Sequence, residues 1–472
     1  MKTFLKFPDP FWFGAALSGP QSEGWCGKCY ENIMDTWYRI GRDDFYEGVV
    51  PDVTSDFFHH MEEDLAHMKE MGIRSFRTSI QWSRLIEDLE TGRPSASGLQ
   101  FYRNLIDLAK KQGIELVLNL HHFDLPTTLL EKYGGWQSRH VVDLFAKFAK
   151  TAFENFGQDV KWWTTFNEPM VMVDGGYLYG YHYPKRKRAG REAMKVLYHI
   201  CLASAKAIGQ YRTMKLDGKI GIIVNVTPAY PGSEDEKDRE AARFFDALHW
   251  QSFLDAAVYG VFPEKLTGCL ERDGVLWKTN KEDEKTLKDN LIDFAGINYY
   301  HPTRAQHRWE ELEEDGWLPE KYYAHYEWPQ RQINASKGWE IYPKGIYDIA
   351  MVLKKRYPAL EWFVSETGMG VHDEERFRNE EGMIQDRYRI GFLKEHLYWV
   401  HKAIDEGSLC FGFHVWAVFD CWSWNNAYRN RYGLVEVDIN DQKRRIKASG
   451  LWYKDVAGQK GFAWDPADAG HV

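Results

Sequence analysis

Two glutamates stand where apolar runs end, and their chemistry depends on whether the fold brings them together. Glu168 closes the run "VKWWTTFNE" and is followed directly by Pro169. Glu366 closes a second run, "EWFVSE", much further along the chain. Hydrolysis of an acetal between sugars needs two carboxyl groups, one to protonate the leaving oxygen and one to attack carbon or activate water. The alternative on sequence alone is that each glutamate is a structural ion-pair partner.

The elements that would position these glutamates alternate between short β-prone runs and longer helical segments. In the segments 59–72, 101–113 and 347–357, apolar residues recur three and four positions apart, as on one face of a helix. Eight β-prone runs alternating with such segments predict an α/β fold, a (β/α)8 or TIM barrel. The predicted strands are 11–16, 75–80, 116–122, 160–168, 219–225, 293–300, 361–366 and 410–420.

The chain is longer than a barrel requires. It has 472 residues, whereas a TIM barrel needs about 250. The excess falls in charged or turn-rich connections such as 229–240 and 302–338, which we predict to be long loops over the carboxyl-terminal mouth. No repeat, low-complexity tract or linker composition marks a second domain, so residues 1–472 are predicted to form a single domain.

Polar and aromatic residues stand at or near most of the predicted strand ends. In a TIM barrel, the chemistry lies at these carboxyl ends. A doubly wound sheet, the alternative fold, would scatter these residues. So many polar groups at matching positions are difficult to explain by packing alone. Arg77 is a candidate partner for Glu366, either as a structural ion pair or as the group that keeps the carboxylate ionised. The candidate residues are Gln21, Arg77, His121, His122, Asn167, Glu168, Asn298, Tyr300, Glu366 and Trp416.

Composition excludes several classes of partner and cofactor. The net charge of −9 offers no basic surface for nucleic acid. No apolar run reaches membrane-spanning length, and the N-terminal segment lacks the features of a secretory signal, so we expect a soluble, cytoplasmic protein. Cys26 and Cys29 form a C-x-x-C with no second pair or histidine nearby, and His121 and His122 would face opposite sides of a strand. No metal or other cofactor is expected.

These motifs resemble those of glycoside hydrolase family 1, the retaining β-glycosidases. "TFNEP" and "SETG" resemble its two catalytic signatures, which implies Glu168 as acid/base and Glu366 as nucleophile of an exo-acting enzyme. The chain departs from the family pattern in two places: Thr367 stands where Asn is usual, and Phe123 where Trp is usual. By the same resemblance, the sugar-binding residues include Gln21, Arg77 beside the nucleophile, His122, Asn298, Tyr300 and Trp416.

The segment 421–438 bears on which sugar is bound. Family members that act on plain glucosides carry a Glu for the sugar's O4 and O6 where this chain has Ser423. A carboxylate there would repel a 6-phosphate, whereas a hydroxyl can donate a hydrogen bond to it. The 6-phospho-β-glycosidase branch has Ser, then Lys seven residues later, then Tyr two further. This chain keeps Ser423 and Tyr432 but has Asn430 in place of the lysine.

The resemblance therefore implies a small-molecule glycoside as substrate, with a sugar 6-phosphate as the first hypothesis and an unphosphorylated β-glucoside or β-galactoside as the alternative. Arg429, Arg431 and the basic run 184–188 are candidates for the missing charge, although such a run is more often a solvated loop. Trp424 matches the Trp at this position in the phospho-branch that uses galactosides, but plain glucosidases also have Trp here. This residue therefore does not decide between a glucoside and a galactoside substrate. A non-catalytic sugar-binding barrel would not need both glutamates. Sequence does not indicate the oligomeric state.

Overall fold

A closed barrel of eight parallel strands forms the centre of the computed structural model, which describes residues 2–312, 315–465 and 467. Each strand pairs with its neighbours in chain order, and the eighth pairs with the first. The predicted (β/α)8 barrel is confirmed, although the last strand ends at Trp416 rather than at 420. The strands are β1 Trp12–Ala16, β2 Ser75–Ser79, β3 Glu115–His121, β4 Trp162–Asn167, β5 Lys219–Asn225, β6 Phe294–Asn298, β7 Glu361–Thr367 and β8 Cys410–Trp416.

Helices connect the strands and cover the barrel. The α-helices are Gly19–Ser22, Ile33–Ile40, Phe57–Glu70, Trp82–Leu85, Ala96–Gln112, Thr127–Tyr133, Arg139–Phe156, Pro169–Val173, Gly190–Thr213, Glu236–Asp246, Ser252–Tyr259, Glu264–Arg272, Lys281–Asp289, Lys344–Arg356, Arg387–Asp405 and Ala448–Gln459. Two π-helical turns are Asp174–Leu178 and Ala247–Gln251. The 3₁₀ turns are Arg42–Asp44, Tyr46–Gly48, Gly135–Gln137, Pro319–Lys321, Glu374–Phe377 and Trp424–Asn426.

The helix Ala96–Gln112 shows how local sequence sets these bounds. Ser95 precedes it and accepts a hydrogen bond from the Gly98 N–H at 2.9 Å, which satisfies one of the unpaired donors of the first turn. Gly113 ends it with a φ of 70°, a left-handed conformation that glycine adopts without steric cost. Leu105 and other apolar residues of one face are buried against the barrel.

Aromatic and apolar side chains fill the barrel where its strands begin. The ring of Trp162 on β4 lies 5.4 Å from that of Phe411 on β8, so these side chains meet across the interior. The cluster thus closes the amino-terminal end of the barrel and leaves the carboxyl-terminal end for a site. Its members are Trp12, Val117, Trp162, Phe294, Phe363 and Phe411.

The connection 229–240, predicted to be a long loop, contains regular secondary structure. This segment contributes the strand Ala229–Pro231 and the start of the helix Glu236–Asp246. Asp235 caps the helix by accepting a hydrogen bond from the Lys237 N–H at 2.9 Å, and Phe245 is among the residues it buries. The many charged residues of this segment lie on the outer face of the helix. Because of them, its apolar stripe is difficult to recognise in the sequence.

The connection 302–338 also contains strands, although residues 313 and 314 lie outside the described part of the chain. Thr303–Gln306 pairs with Ala229–Pro231 and Ala324–His325, and Ile333–Asn334 pairs with Trp339–Glu340. The remaining strand pairs are Thr3–Lys6 with Gly461–Trp464, Ile86–Asp88 with Arg93–Pro94, and Val435–Val437 with Arg444–Ile446. Residues 1, 466 and 468–472 of the predicted single domain are likewise outside the described part. Within the described residues, no helix combines the length and apolarity needed to cross a membrane.

Candidate active site

A cavity of about 230 Å³ opens at the carboxyl ends of the barrel strands. Both glutamates singled out by the sequence lie in its wall, as do most of the candidate sugar-binding residues. The lining residues are Gln21, His122, Phe123, Asn167, Glu168, Val171, Asn225, Tyr300, His301, Lys337, Trp339, Glu366, Trp416, Ser423, Trp424, Asn426 and Tyr432.

Glu168 follows the last residue of β4 directly. Its backbone has φ 45° and ψ 56°, and its N–H donates to the Ile223 carbonyl of β5 at 3.0 Å. Pro169 then begins the short helix Pro169–Val173, for which it has a suitable φ and needs no N–H partner. A non-glycine residue in the left-handed region is uncommon, and such residues are concentrated at functional sites. Here the conformation directs the Glu168 side chain into the cavity.

Glu366 lies near the end of β7, where the pairing with β6 changes register. The shift between Ile297 and Asn298 places Asn298 opposite Glu366. Irregularities of this kind re-aim side chains near functional sites. The Glu366 carboxylate accepts a hydrogen bond from the Tyr300 hydroxyl at 2.7 Å and is paired with the Arg77 guanidinium.

One hydrogen-bond network connects the two carboxylates. The Arg77 guanidinium, which contacts Glu366, also donates to Asn167 Oδ1 at 3.1 Å. Asn298 Nδ2 donates both to the same Asn167 oxygen at 3.1 Å and to Glu168 Oε1 at 2.8 Å. Arg77 and Asn298, both predicted to bind the sugar, are fully buried and are absent from the cavity lining; they contact the two carboxylates instead.

Burial sets the protonation of the groups around this network. It raises the pKa of Glu168, against the opposing effects of the Asn298 hydrogen bond and the Arg77 charge. It also lowers the pKa of Arg77 to about 10, which leaves the guanidinium charged at neutral pH. The pKa of His122 falls well below its ordinary value because of burial and the nearby Arg77, so its imidazole is neutral.

The candidate sugar-binding side chains surround the two carboxylates. Gln21 donates from Nε2 to the Trp422 carbonyl at 2.9 Å and accepts from the Ser18 hydroxyl at 2.8 Å. His122 Nε2 lies 3.3 Å from Asn167 Nδ2. The His122 ring also stacks against the indoles of Trp416 and Trp424, with ring centres 6.1 Å apart in each case. These groups present hydrogen-bonding atoms beside flat apolar faces, as the binding of a sugar ring requires.

The segment after β8 brings Ser423 and Tyr432, but not Asn430, to the cavity wall. The side chain of Asn430 is almost fully buried, and its Nδ2 donates to Asn426 Oδ1 at 3.2 Å. Asn426 is itself a lining residue, so Asn430 contacts the cavity wall without being part of it.

The other predicted sources of positive charge lie outside this cavity. Arg429 and Arg431 line a separate cavity of about 540 Å³, where Arg431 donates to the Val437 carbonyl at 3.3 Å. In the basic run 184–188, Lys185 pairs with Asp44, and Arg188 donates to the Asp315 carbonyl at 2.6 Å. No residue of that run lines the candidate site.

Several residues that line the cavity were not predicted from the sequence. Asn225 ends β5, so the strand-end rule that selected the other candidates also applies to it. His301, Lys337, Trp339 and Asn426 belong to long connections, where no periodicity or strand end identifies them. Only the folding of those connections over the mouth brings them to the site.

The histidine pair faces two environments, as predicted. His122 lines the cavity, whereas His121 packs outside the barrel against Trp136 and Phe166. Throughout the described residues, no group of three or more His, Cys, Asp or Glu side chains is arranged to hold a metal ion. Cys26 and Cys29 are exposed thiols.

Comparison with known proteins decides the family. The model of glycosyl hydrolase family 1 matches residues 4–462. The chain belongs to this family. The predicted family and glycoside hydrolase class are therefore confirmed, and the enzyme can be compared with curated relatives. It is 47% identical to the 6-phospho-beta-glucosidase GmuD of Bacillus subtilis (strain 168), with 97% of this chain and 98% of the relative covered.

More distant relatives include both phospho- and plain glycosidases. The enzyme is 34% identical to a 6-phospho-beta-galactosidase of Clostridium acetobutylicum, over 96% of this chain and 97% of that protein. Among solved structures, the family 1 β-glucosidase of Thermotoga maritima superposes with a TM-score of 0.89 at 33% identity, with 98% of this chain and 100% of that chain covered.

Proposed function

We propose that this enzyme is a retaining, exo-acting 6-phospho-β-glycosidase. The observation that carries the proposal is the pair Ser423 and Tyr432, whose side chains line the same cavity as Glu168 and Glu366. Their hydroxyls can donate to a phosphate, and among the residues that the structure describes, Glu168 and Glu366 are the only carboxylates lining this cavity. The 47% identity to a relative named 6-phospho-beta-glucosidase supports the same substrate class.

The proposed reaction has two displacements. The Glu366 carboxylate attacks the anomeric carbon while the Glu168 carboxyl gives its proton to the glycosidic oxygen, and the aglycone leaves as an alcohol. Glu168 then takes a proton from water, whose oxygen attacks the same carbon and releases Glu366. Two inversions give a sugar of the original β configuration.

The surroundings suit the two carboxyl groups to different roles. Burial favours the protonated form of Glu168, as an acid catalyst requires. Glu366 instead contacts the Arg77 guanidinium and the Tyr300 hydroxyl, both donors that stabilise a carboxylate. Gln21, His122 and Asn167 would bind the hydroxyls of the sugar, and Trp416 would lie against its ring.

A β-glucosidase or β-galactosidase acting on unphosphorylated sugars is the second candidate. Asn430 favours it, because the lysine that gives the phospho-branch its positive charge is absent at that position. The close superposition with a plain β-glucosidase also supports this second candidate.

Paired substrates test the proposal. We expect kcat/KM for nitrophenyl β-glucoside 6-phosphate or its galacto epimer to exceed that for the matching plain glycoside by about 100-fold or more, the effect of two or three charge-assisted hydrogen bonds. The two epimers are measured side by side, which also decides between gluco and galacto. A preference for plain glycosides would select the second candidate.

Asn430→Lys tests where the phosphate lies. If the 6-phosphate reaches the neighbourhood of Asn426, a lysine at 430 should raise the ratio of kcat/KM for phosphorylated over plain substrate by about tenfold, through one added charge-assisted contact. Asn155→Lys, on the helix Arg139–Phe156 outside the barrel mouth, is the matched control. An unchanged ratio in Asn430→Lys would place the phosphate elsewhere in the cavity.

A further inference from the structure

Lys337 lies in the wall of the candidate site, although no motif pointed to it. It belongs to the turn between the short strands Ile333–Asn334 and Trp339–Glu340, and its N–H donates to the Asn334 carbonyl at 3.1 Å. The Lys337 ammonium lies 4.5 Å from the centre of the Trp339 ring, and both side chains line the cavity. The turn thus presents a cation beside an aromatic face at the mouth of the site.

The turn is fixed against the part of the mouth that carries Tyr432. Asn334 Nδ2 donates to the Gly370 carbonyl at 3.0 Å, and the Ser336 hydroxyl lies 2.7 Å from His372 Nδ1. Gly370 in turn lies directly under the Tyr432 ring, since a Cβ at this glycine would come within 2.3 Å of a ring carbon. These contacts place the Lys337 turn on the Tyr432 side of the cavity, whose lining also includes Ser423.

Among the described residues, Lys337 has no negatively charged partner. Within residues 2–312, 315–465 and 467, no Asp or Glu carboxylate forms an ion pair with it. Burial lowers the pKa of Lys337 to about 8, because a partly desolvated ammonium without a counter-ion is unfavourable. A bound anion would relieve this cost and complete the charge balance of the turn.

The other positively charged side chains near this cavity already contact other groups of the protein. Arg77 is buried beneath the site and paired with Glu366. The Arg429 guanidinium lies over the Tyr46 ring, and Arg431 is 3.9 Å from Asp420, both in the separate cavity. In the described part of the chain, Lys337 is therefore the one Lys or Arg whose side chain lines the candidate site.

We infer that Lys337 binds the 6-phosphate of the substrate, supplying from the connection after β6 the positive charge that the phospho-branch places after β8. Its ammonium would share the phosphate oxygens with the hydroxyls of Ser423 and Tyr432. The inference rests on the proposed function and explains how a phosphorylated sugar is bound despite Asn430. It also makes the long connection 302–338 a determinant of specificity.

Lys337→Met tests the inference, because methionine keeps much of the apolar stem but removes the charge. We expect the ratio of kcat/KM for nitrophenyl β-glucoside 6-phosphate over the plain glucoside to fall about 10- to 100-fold, mostly through a higher KM for the phosphorylated substrate. Lys337→Arg should retain most of the ratio. Lys237→Met is the matched control, since the Lys237 ammonium lies 4.4 Å from the Trp309 ring in the same arrangement outside this cavity.

The pH profile gives a second readout. In the wild type, kcat/KM for the phosphorylated substrate should decline as pH rises through about 8, where free Lys337 loses its proton, and the plain substrate should not show this step. In Lys337→Met, the profile for the phosphorylated substrate should lack this decline near pH 8. A wild type that prefers plain glycosides would overturn the proposed function, whereas a phospho-specific wild type whose ratio survives in Lys337→Met would overturn the role of Lys337 alone.

Discussion

Replacing Glu366 with alanine should lower the turnover of every glycoside substrate by at least about 10⁴-fold, the usual consequence of removing a nucleophile. The physical reason is that, in the described part of the chain, Glu366 is the one cavity carboxylate held by both Arg77 and Tyr300. Steady-state kinetics with a nitrophenyl glycoside measure the loss of turnover. The space left by the side chain should admit azide or formate, which would attack the anomeric carbon from the same face.

The product of this rescue separates a nucleophile from a merely structural glutamate. One displacement by the external anion inverts the anomeric centre, so an α-glycosyl product should appear and should be visible by NMR. Glu361→Ala, at the opposite end of the same strand β7 and paired with Lys219, is the matched control and should keep near wild-type turnover. Retention of most activity in Glu366→Ala, or a rescued product of β configuration, would contradict the assigned role.

Glu168→Gln should produce a loss that depends on the leaving group. For aglycones of high pKa, we expect kcat/KM to fall by about 10²- to 10⁴-fold, because the glycosidic oxygen then departs without a proton. For dinitrophenyl glycosides, which need little protonation, the loss in the first step should be small. A plot of log kcat/KM against leaving-group pKa should therefore be much steeper for the variant than for the wild type.

The pH dependence provides an independent check on Glu168. Because burial raises the pKa of this carboxyl group, its acid form persists to higher pH, and kcat/KM should decline only as pH rises through that value. Glu168→Gln should lack this alkaline limb with any substrate that does not titrate there. Glu115→Gln, at the amino-terminal end of β3, should retain it. Equal losses for all leaving groups would contradict an acid/base role.

Much of the site could be read from the sequence because strand ends and site residues coincide in this fold. Glu168, Asn298 and Glu366 each stand within the last residues of an apolar run or directly after it, and all three are joined in one hydrogen-bond network. Periodicity locates such runs, and a parallel barrel gathers their ends at one mouth. Family resemblance added the division of roles between the glutamates, which spacing did not supply.

The connections were the least predictable part of the chain. In the helix Glu236–Asp246, charged residues outnumber apolar ones, so its buried stripe is weak in sequence and becomes meaningful only against the sheet it covers. Lys337 lies in a turn whose position depends on contacts of Asn334 and Ser336 with a segment that follows β7. No local pattern encodes such contacts between distant segments.

The sequence by itself determined the eight strands, their order and the two glutamates at the ends of β4 and β7, because local periodicity and the geometry of a closed parallel barrel are sufficient for these. Only the tertiary structure decided that Asn430 lies outside the cavity lining and that Lys337 belongs to it. Packing between segments far apart in the chain determines which side chain of a long loop faces a ligand. The free energy of that packing depends on all of these segments together, so the sequence of a single segment does not predict it.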